Sequence, residues 1–231
     1  MSQIQVKTPL KSQNLSDILI EAIVSGDISA GSKISEPELA RRYGVSRGPL
    51  REAILTLQGI GLVERLPHVG ARVVELNKQQ LLDIYAIREA LEGMACRQAA
   101  LAMSQSDIDQ LEALLNHHQD YLQQNEGQRY FEQDGDFDFH YRIIQASANK
   151  HLIGLLCDEL YHLLRMYRRQ ASNHISRPNR ALNEHRAIWQ ALADRDADLA
   201  EILMRRHIGR ARKLIEQQVD AQAFTSSKGE K

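Results

Sequence analysis

The stretch Ser35-Glu36-Pro37-Glu38-Leu39-Ala40-Arg41-Arg42-Tyr43-Gly44-Val45-Ser46-Arg47-Gly48-Pro49-Leu50-Arg51-Glu52-Ala53 decides the reading of this chain. Ser35 can cap a short helix, because Glu38 follows three residues on and proline is tolerated in a first helical turn. That helix runs through Leu39 and Ala40 to Tyr43, and Gly44-Val45 make a turn. Ser46 then caps a second helix, in which Leu50, Ala53, Ile54 and Leu57 recur at helical spacing until Gly59 and Gly61 stop it. A helix, a short turn and a second helix form a helix-turn-helix unit.

On the N-terminal side, Leu15, Ile18, Leu19, Ala22 and Ile23 predict a further helix that Gly26 ends. On the C-terminal side, 62–66 and 71–74 predict two short strands joined at a tight tip, Pro67-His68-Val69-Gly70. Three helices and a hairpin make a winged helix-turn-helix, expected over residues 8–76. Seven glycines and four of the five prolines fall in this part, and beyond Leu76 the turn signals thin out, which sets a boundary near Asn77. The remainder predicts helices at 77–102, 105–124, 129–147, 149–171, 178–193 and 195–219, with Asp107, Asp134 and Asp196 enriching first turns as the helix dipole favours. The expected class is therefore mainly α, an N-terminal winged helix-turn-helix followed by an all-helical antiparallel bundle over 77–222. A polar, frayed tail is expected over 223–231.

Composition excludes several classes. The 231 residues are 43% hydrophobic and 26% charged, as a globular protein's are, and no apolar run approaches the ~18 residues of a membrane span. The first eleven residues lack the apolar core of a signal peptide. Cys96 and Cys157 alone give no disulfide framework, which points to the cytoplasm. Net charge is −1, and residues 1–76 hold nine Lys and Arg against eight Asp and Glu. Bulk charge therefore does not argue for nucleic acid; the placement of the arginines does.

In a helix-turn-helix the N-terminal end of the second helix enters the major groove. Arg47 and Arg51 stand there four residues apart on one face, opposite Leu50, Ile54 and Leu57. Arginine binds guanine O6 and N7 through two hydrogen bonds, or clamps phosphate. The Ser46 hydroxyl and the free amides of the helix start suit a phosphate. Arg41 and Arg42 are placed for backbone contacts, and the tip with His68 and Gly70 for the adjacent minor groove. Taken alone, such arginines are ordinary surface charge; the whole order of elements gives them the DNA-binding assignment.

In the helical part, Asp136 and His140 lie four apart on one helix, His185 on a later helix and His207 on the last. Four such side chains on three helices can converge inside a bundle and hold Zn, Ni, Mn or Fe. Spacing alone leaves a structural role for each histidine open.

The quoted run, continued by Leu57, Gly61-Leu62-Val63 and the hairpin, resembles the signature of GntR-type transcription regulators over about residues 12–75. Asp136-Phe137-Asp138-Phe139-His140 with Ile143, Ala146 and Asn149, Glu184-His185-Arg186-Ala187-Ile188, and Met204-Arg205-Arg206-His207 resemble the segments of the FCD domain that accompanies it in the FadR subfamily. The resemblance implies operator contacts by Arg47 and Arg51. The family often has an arginine near the start of the first helix of the motif, where this chain has Pro37, so that contact is not carried over. It also implies metal ligation by Asp136, His140, His185 and His207, and a small carboxylate effector beside the metal. Arg88, Arg142, Arg165 and Arg169 are candidate partners for that carboxylate, since a guanidinium matches its fork; Arg88 lies in Ile87-Arg88-Glu89-Ala90-Leu91-Glu92, which resembles the first FCD helix. Residues 67–73 and 161–168 resemble members encoded beside propionate (methylcitrate) catabolism genes, a pointer to a di- or tricarboxylate.

The expectation is a homodimeric repressor, not an enzyme, binding a palindromic double-stranded operator under control of that effector. Two rivals remain from the residues: a regulator for which the metal itself is the signal, and a metal-dependent enzyme with an appended DNA-binding-like module.

Overall fold

The computed structural model describes residues 12–68, 70–75, 77–124, 135–171 and 178–226, with side chains except at 12–14, 135–137, 168–171, 178 and 218–226. The chain divides into two compact units, Met1–Glu75 and Leu76–Lys231.

In the first unit, α1 (Ser12–Ser25), α2 (Glu36–Tyr43) and α3 (Arg47–Gly59) precede an antiparallel pair, β1 (Val63–Leu66) and β2 (Gly70–Val73). Leu15, Leu19 and Ile23 of α1 are buried with Leu39 of α2, Leu50, Ile54 and Leu57 of α3, and Leu62 and Val73. Helical spacing selects the α1 and α3 positions among these; of those it selects in α1, Ile18 is the exception, 37% exposed. The turn between α2 and α3 depends on Gly44, whose φ of 65° is left-handed and whose N–H donates to the Ala40 carbonyl. The strands pair Val63 with Val73 and Leu66 with Gly70, and His68 (φ 62°) turns the tip.

Two local expectations need correction. Ser35 and Ser46 do occupy the cap positions of α2 and α3, but neither side chain makes a capping hydrogen bond. Both serines have the extended backbone of a cap position, and Pro37 fits the first turn of α2. The hairpin is also joined by a third extended segment: Lys33 bridges Arg72, the Ile34 N–H donates to the Ala71 carbonyl, and the Val73 N–H to that of Ser32.

The second unit is helical: α4 (Lys78–Ala102), α5 (Gln105–Gln124), α6 (Gly135–Ala146), α7 (Lys150–Ile153), a π-helical turn at Gly154–Glu159, α8 (Tyr161–Ala171), α9 (Pro178–Ala193) and α10 (Ala197–Ser226). Asn77 caps α4 reciprocally with Gln80, and Ser104 and Asp107 do the same for α5. The predicted helix over 149–171 is broken by the π turn, where the Leu160 N–H donates to the Leu155 carbonyl; one extra residue in the turn re-aims α8. The first residues of the helix predicted at 129–147 lie outside the described residues. The last helix runs beyond 219 to Ser226.

Helices α4 and α10 pack antiparallel, with Gly93 against Arg205 and Arg97 paired with Asp198 and Glu201. A Cβ on Gly93 would lie 2.6 Å from Arg205 Cγ, so the glycine permits the close approach. Helices α5 and α9 also run antiparallel: the Trp189 indole donates to the Ile108 carbonyl and Arg186 to Asn116. The core between these pairs holds Leu81, Tyr85, Leu111, Leu115, Phe139, Ile143, Ile188, Leu192, Met204 and Ile208. No helix among the described residues is long and apolar enough to cross a membrane.

Candidate nucleic-acid interface and metal centre

On the first unit, α3 presents Arg47 and Arg51 to solvent while Leu50, Ala53, Ile54 and Leu57 face inward. Arg51 Nε donates to Glu36 Oε2 at 3.0 Å, an exposed pair that ties the start of α2 to α3. Arg41 and Arg42 sit exposed in the last turn of α2, with Arg42 over the Tyr43 ring at 5.5 Å. Ser46 is exposed at the start of α3, its hydroxyl making no cap bond. His68 and Gly70 are exposed at the hairpin tip, and Val69 lies outside the described residues. Every predicted DNA-binding residue is thus on the surface, the arrangement a groove-reading head requires.

On the second unit, His140 of α6, His185 of α9 and His207 of α10 come together, all buried, with ligand nitrogens within 4.8 Å of one another. The Nε2 atoms of His185 and His207 are 3.2 Å apart. Nitrogens ~2.0–2.1 Å from one ion stand roughly 3 Å apart when they are neighbours in its shell, so this spacing fits two ligands of a single metal. Asp136 lies on α6, one turn before His140, but its side chain is outside the described residues. Phe139, fully buried, stacks on the His185 ring at 4.2 Å and fixes its plane.

Two carboxylates back this cluster. Glu92 of α4 accepts from His140 Nδ1 at 2.6 Å, and its other oxygen accepts from Arg88 Nε at 2.5 Å. Burial alone would raise the Glu92 pKa; the Arg88 guanidinium and the His140 ring more than offset it and hold the carboxyl at about 2. Glu184 of α9 accepts from His207 Nδ1 at 2.8 Å and from Arg180 and Arg210 at 3.0 and 2.9 Å. Burial opposes the charge here too, and the His207 hydrogen bond leads the groups that lower its pKa. Sequence reasoning assigned neither glutamate a role. The signal that could have found Glu92 is the buried stripe Leu81, Tyr85, Arg88, Glu92, Cys96, Ala99, in which a charged pair four residues apart interrupts an apolar face.

The predicted effector arginines separate. Arg88 is buried beside the cluster, on Glu92 and 4.9 Å from the Tyr85 ring centre. Arg165 is buried on α8, 5.6 Å from the Tyr161 ring centre. Arg142 is exposed on α6, and the Arg169 side chain is outside the described residues. A cavity of about 630 Å3 between α5 and α9, lined by Gln119, Gln123, Asn179, Asn183 and Arg186 among others, includes none of them.

Residues 11–73 match the model of bacterial regulatory proteins of the gntR family, and residues 83–210, more than half of the chain, match the FCD domain. This chain belongs to the GntR family. The GntR regulator is 30% identical to the HTH-type transcriptional repressor RspR of Escherichia coli (strain K12) over 196 residues, 85% of each chain. It is also 30% identical to a probable D-xylose utilization operon transcriptional repressor of Paenarthrobacter nicotinovorans over 213 residues, 87% of each. Its fold matches that of E. coli McbR/YncC, with a TM-score of 0.71 at 22% identity, over 90% of this chain and 98% of that one. A GntR regulator from Rhodococcus sp. RHA1 gives 0.69 at 19% identity, over 89% and 97%. The protein is thus a DNA-binding transcription regulator with a helical FCD domain, and the family sets aside the reading as a metal-dependent enzyme.

Proposed function

We propose that this GntR regulator is a homodimeric repressor controlled by a small carboxylate, of di- or tricarboxylate size, bound beside a metal ion that Asp136, His140, His185 and His207 hold. The observation carrying this reading is the convergence of three buried histidines from α6, α9 and α10, with two Nε2 atoms 3.2 Å apart. A bound divalent metal would supply a Lewis-acidic site for a carboxylate oxygen. Arg88, buried with its Nε on Glu92, and Arg165, buried on α8, supply two guanidinium cations inside the helical unit, and a guanidinium matches the fork of a carboxylate. Arg142 and Arg169 are the remaining candidates. Homodimerisation is supported by Ile87, Met94 and Leu101, which recur every seven residues as an exposed apolar stripe along α4. The effector acts by binding more tightly to one DNA-affinity state than to the other.

The test is native mass spectrometry and elemental analysis of the full chain, followed by operator titration with and without citrate and shorter dicarboxylates. The expected outcome is a dimer with one metal per subunit, losing metal in the His140→Ala/His185→Ala double variant and changing operator affinity when a carboxylate is added. Full metal occupancy in the double variant refutes the ligand set. A response to metal alone, with none to any carboxylate, refutes effector control in favour of metal sensing.

A further inference from the structure

The two glutamates behind the histidines are not predicted ligands, yet each holds the Nδ1 of a cluster histidine, which for His207 is the nitrogen opposite the one that faces His185. Glu92 comes from α4 and Glu184 from α9, and both accept from an Nδ1, on His140 and His207 respectively. A neutral imidazole carries one proton. A carboxylate at Nδ1 holds it there and leaves the Nε2 lone pair to point the other way, which for His207 is toward His185 Nε2. The carboxylates are themselves fixed: Glu92 by Arg88, Glu184 by Arg180 and Arg210.

Resting on the metal-site reading above, we propose that Glu92 and Glu184 are positioning residues that set His140 and His207 as Nε2 donors to a divalent metal, with Arg88 and the Arg180–Arg210 pair acting one step further out through them. A carboxylate behind a ligating histidine fixes its tautomer and ring orientation and makes the metal-facing nitrogen more basic. The two supports lie on different helices, so either can be removed singly. Arg88 has a positioning task in this scheme whether or not it also touches an effector.

The experiment measures Zn2+ and Co2+ affinity of the full-length protein by competition with a chelator, for the parent, Glu184→Gln, Glu184→Ala and Glu92→Gln. Loss of an orienting partner typically costs 10–100-fold in metal affinity. The expected order is parent, then Glu184→Gln, which keeps an acceptor without the charge, then Glu184→Ala, about 10–100-fold weaker than the parent. The Co2+ absorption bands should shift in the variants. Glu184 is less buried than Glu92, so its variants keep the test decisive where Glu92→Gln fails to fold. In the metal-free parent, long-range 1H–15N correlations should report Nδ1–H tautomers for His140 and His207. Parent-like affinity and Co2+ spectrum in Glu184→Ala, with the parent binding metal through its histidines, overturns the positioning role alone. A folded parent that takes up no metal overturns the metal reading and this inference with it.

Discussion

Arg51 offers the sharpest test of the DNA-reading face, because its two candidate roles differ in size. In the free protein its guanidinium donates to Glu36 at 3.0 Å, but the arginine side chain is 68% exposed. Exposed ion pairs of this kind contribute ~0–1 kcal/mol, and exposed substitutions away from caps and cores usually stay within ~0.5 kcal/mol. Arg51→Ala should therefore leave the melting temperature almost unchanged. If Arg51 instead reads a base, its loss costs ~1–3 kcal/mol of specific binding, roughly a 5- to 150-fold weaker complex. The assay is fluorescence anisotropy on an operator selected in vitro from random duplexes by the parent protein, alongside a scrambled duplex, across a salt series. A base contact weakens operator binding and spares the scrambled duplex. A phosphate contact weakens both alike and reduces the slope of log affinity against log salt by about one. Parent-like affinity on both duplexes, with a parent-like melting temperature, refutes the assignment of Arg51 to the interface.

Two further predictions come from the packing. At Gly93 a new Cβ would meet Arg205 Cγ at 2.6 Å, whereas at Gly209 it would meet the carboxylate end of Glu89 at 3.2 Å. Alanine gains ~0.8–1.0 kcal/mol over glycine in a helix, but overpacking costs ~1–3 kcal/mol, so Gly93→Ala should destabilise by ~0–2 kcal/mol. Gly209→Ala meets the Glu89 carboxylate, which also pairs with Arg212, and should be the milder change, within ~1 kcal/mol of the parent; a urea midpoint that moves up equally in both variants contradicts the close approach at Gly93. Burial raises both thiols, Cys157 to about 11 and Cys96 further still, so at pH 8 both are protonated and should resist alkylation until denaturant is added. Because the folded Cys157 pKa lies above the ordinary value of 9.0, its contribution to stability is complete below pH 9 and is lost as pH rises toward 11. Rapid native labelling of Cys157 at pH 8 would contradict this.

The DNA-binding head was legible because its signals are local. Gly44 in the turn, the cap position of Ser46 and the spacing Leu50, Ala53, Ile54, Leu57 each act within one or two helical turns. The segment Ser32–Ile34 escaped because its pairing with β2 joins residues about forty apart, and three residues show no alternation to read. The π turn escaped for a different reason: Leu152, Leu156 and Leu164 keep a helical rhythm loose enough to absorb one extra residue. Among the site residues, His140, His185 and His207 were picked out by side-chain chemistry together with a family resemblance, while Glu92 and Glu184 look in sequence like any helical glutamate near an arginine.

Energetics explain why that last distinction matters. Charges four residues apart on a helix are usually solvated and contribute a few tenths of a kcal/mol. Arg88 and Glu92 are instead about 2% exposed, where the cost of desolvating two charges often equals or exceeds their attraction and well-packed apolar residues would do as well or better. A bundle built for stability alone gains nothing from placing this pair in the stripe that Leu81, Tyr85 and Ala99 otherwise fill. The pair makes physical sense through its third member, since Glu92 can hold the His140 proton on Nδ1 only if its own charge is sustained in the interior, and Arg88 sustains it. The Glu184 arrangement repeats this logic nearer the surface, with Arg180 and Arg210 in the place of Arg88. Arginine, carboxylate and Nδ1 recur in both arrangements at one histidine cluster, which is what the proposed metal site would ask of the rings.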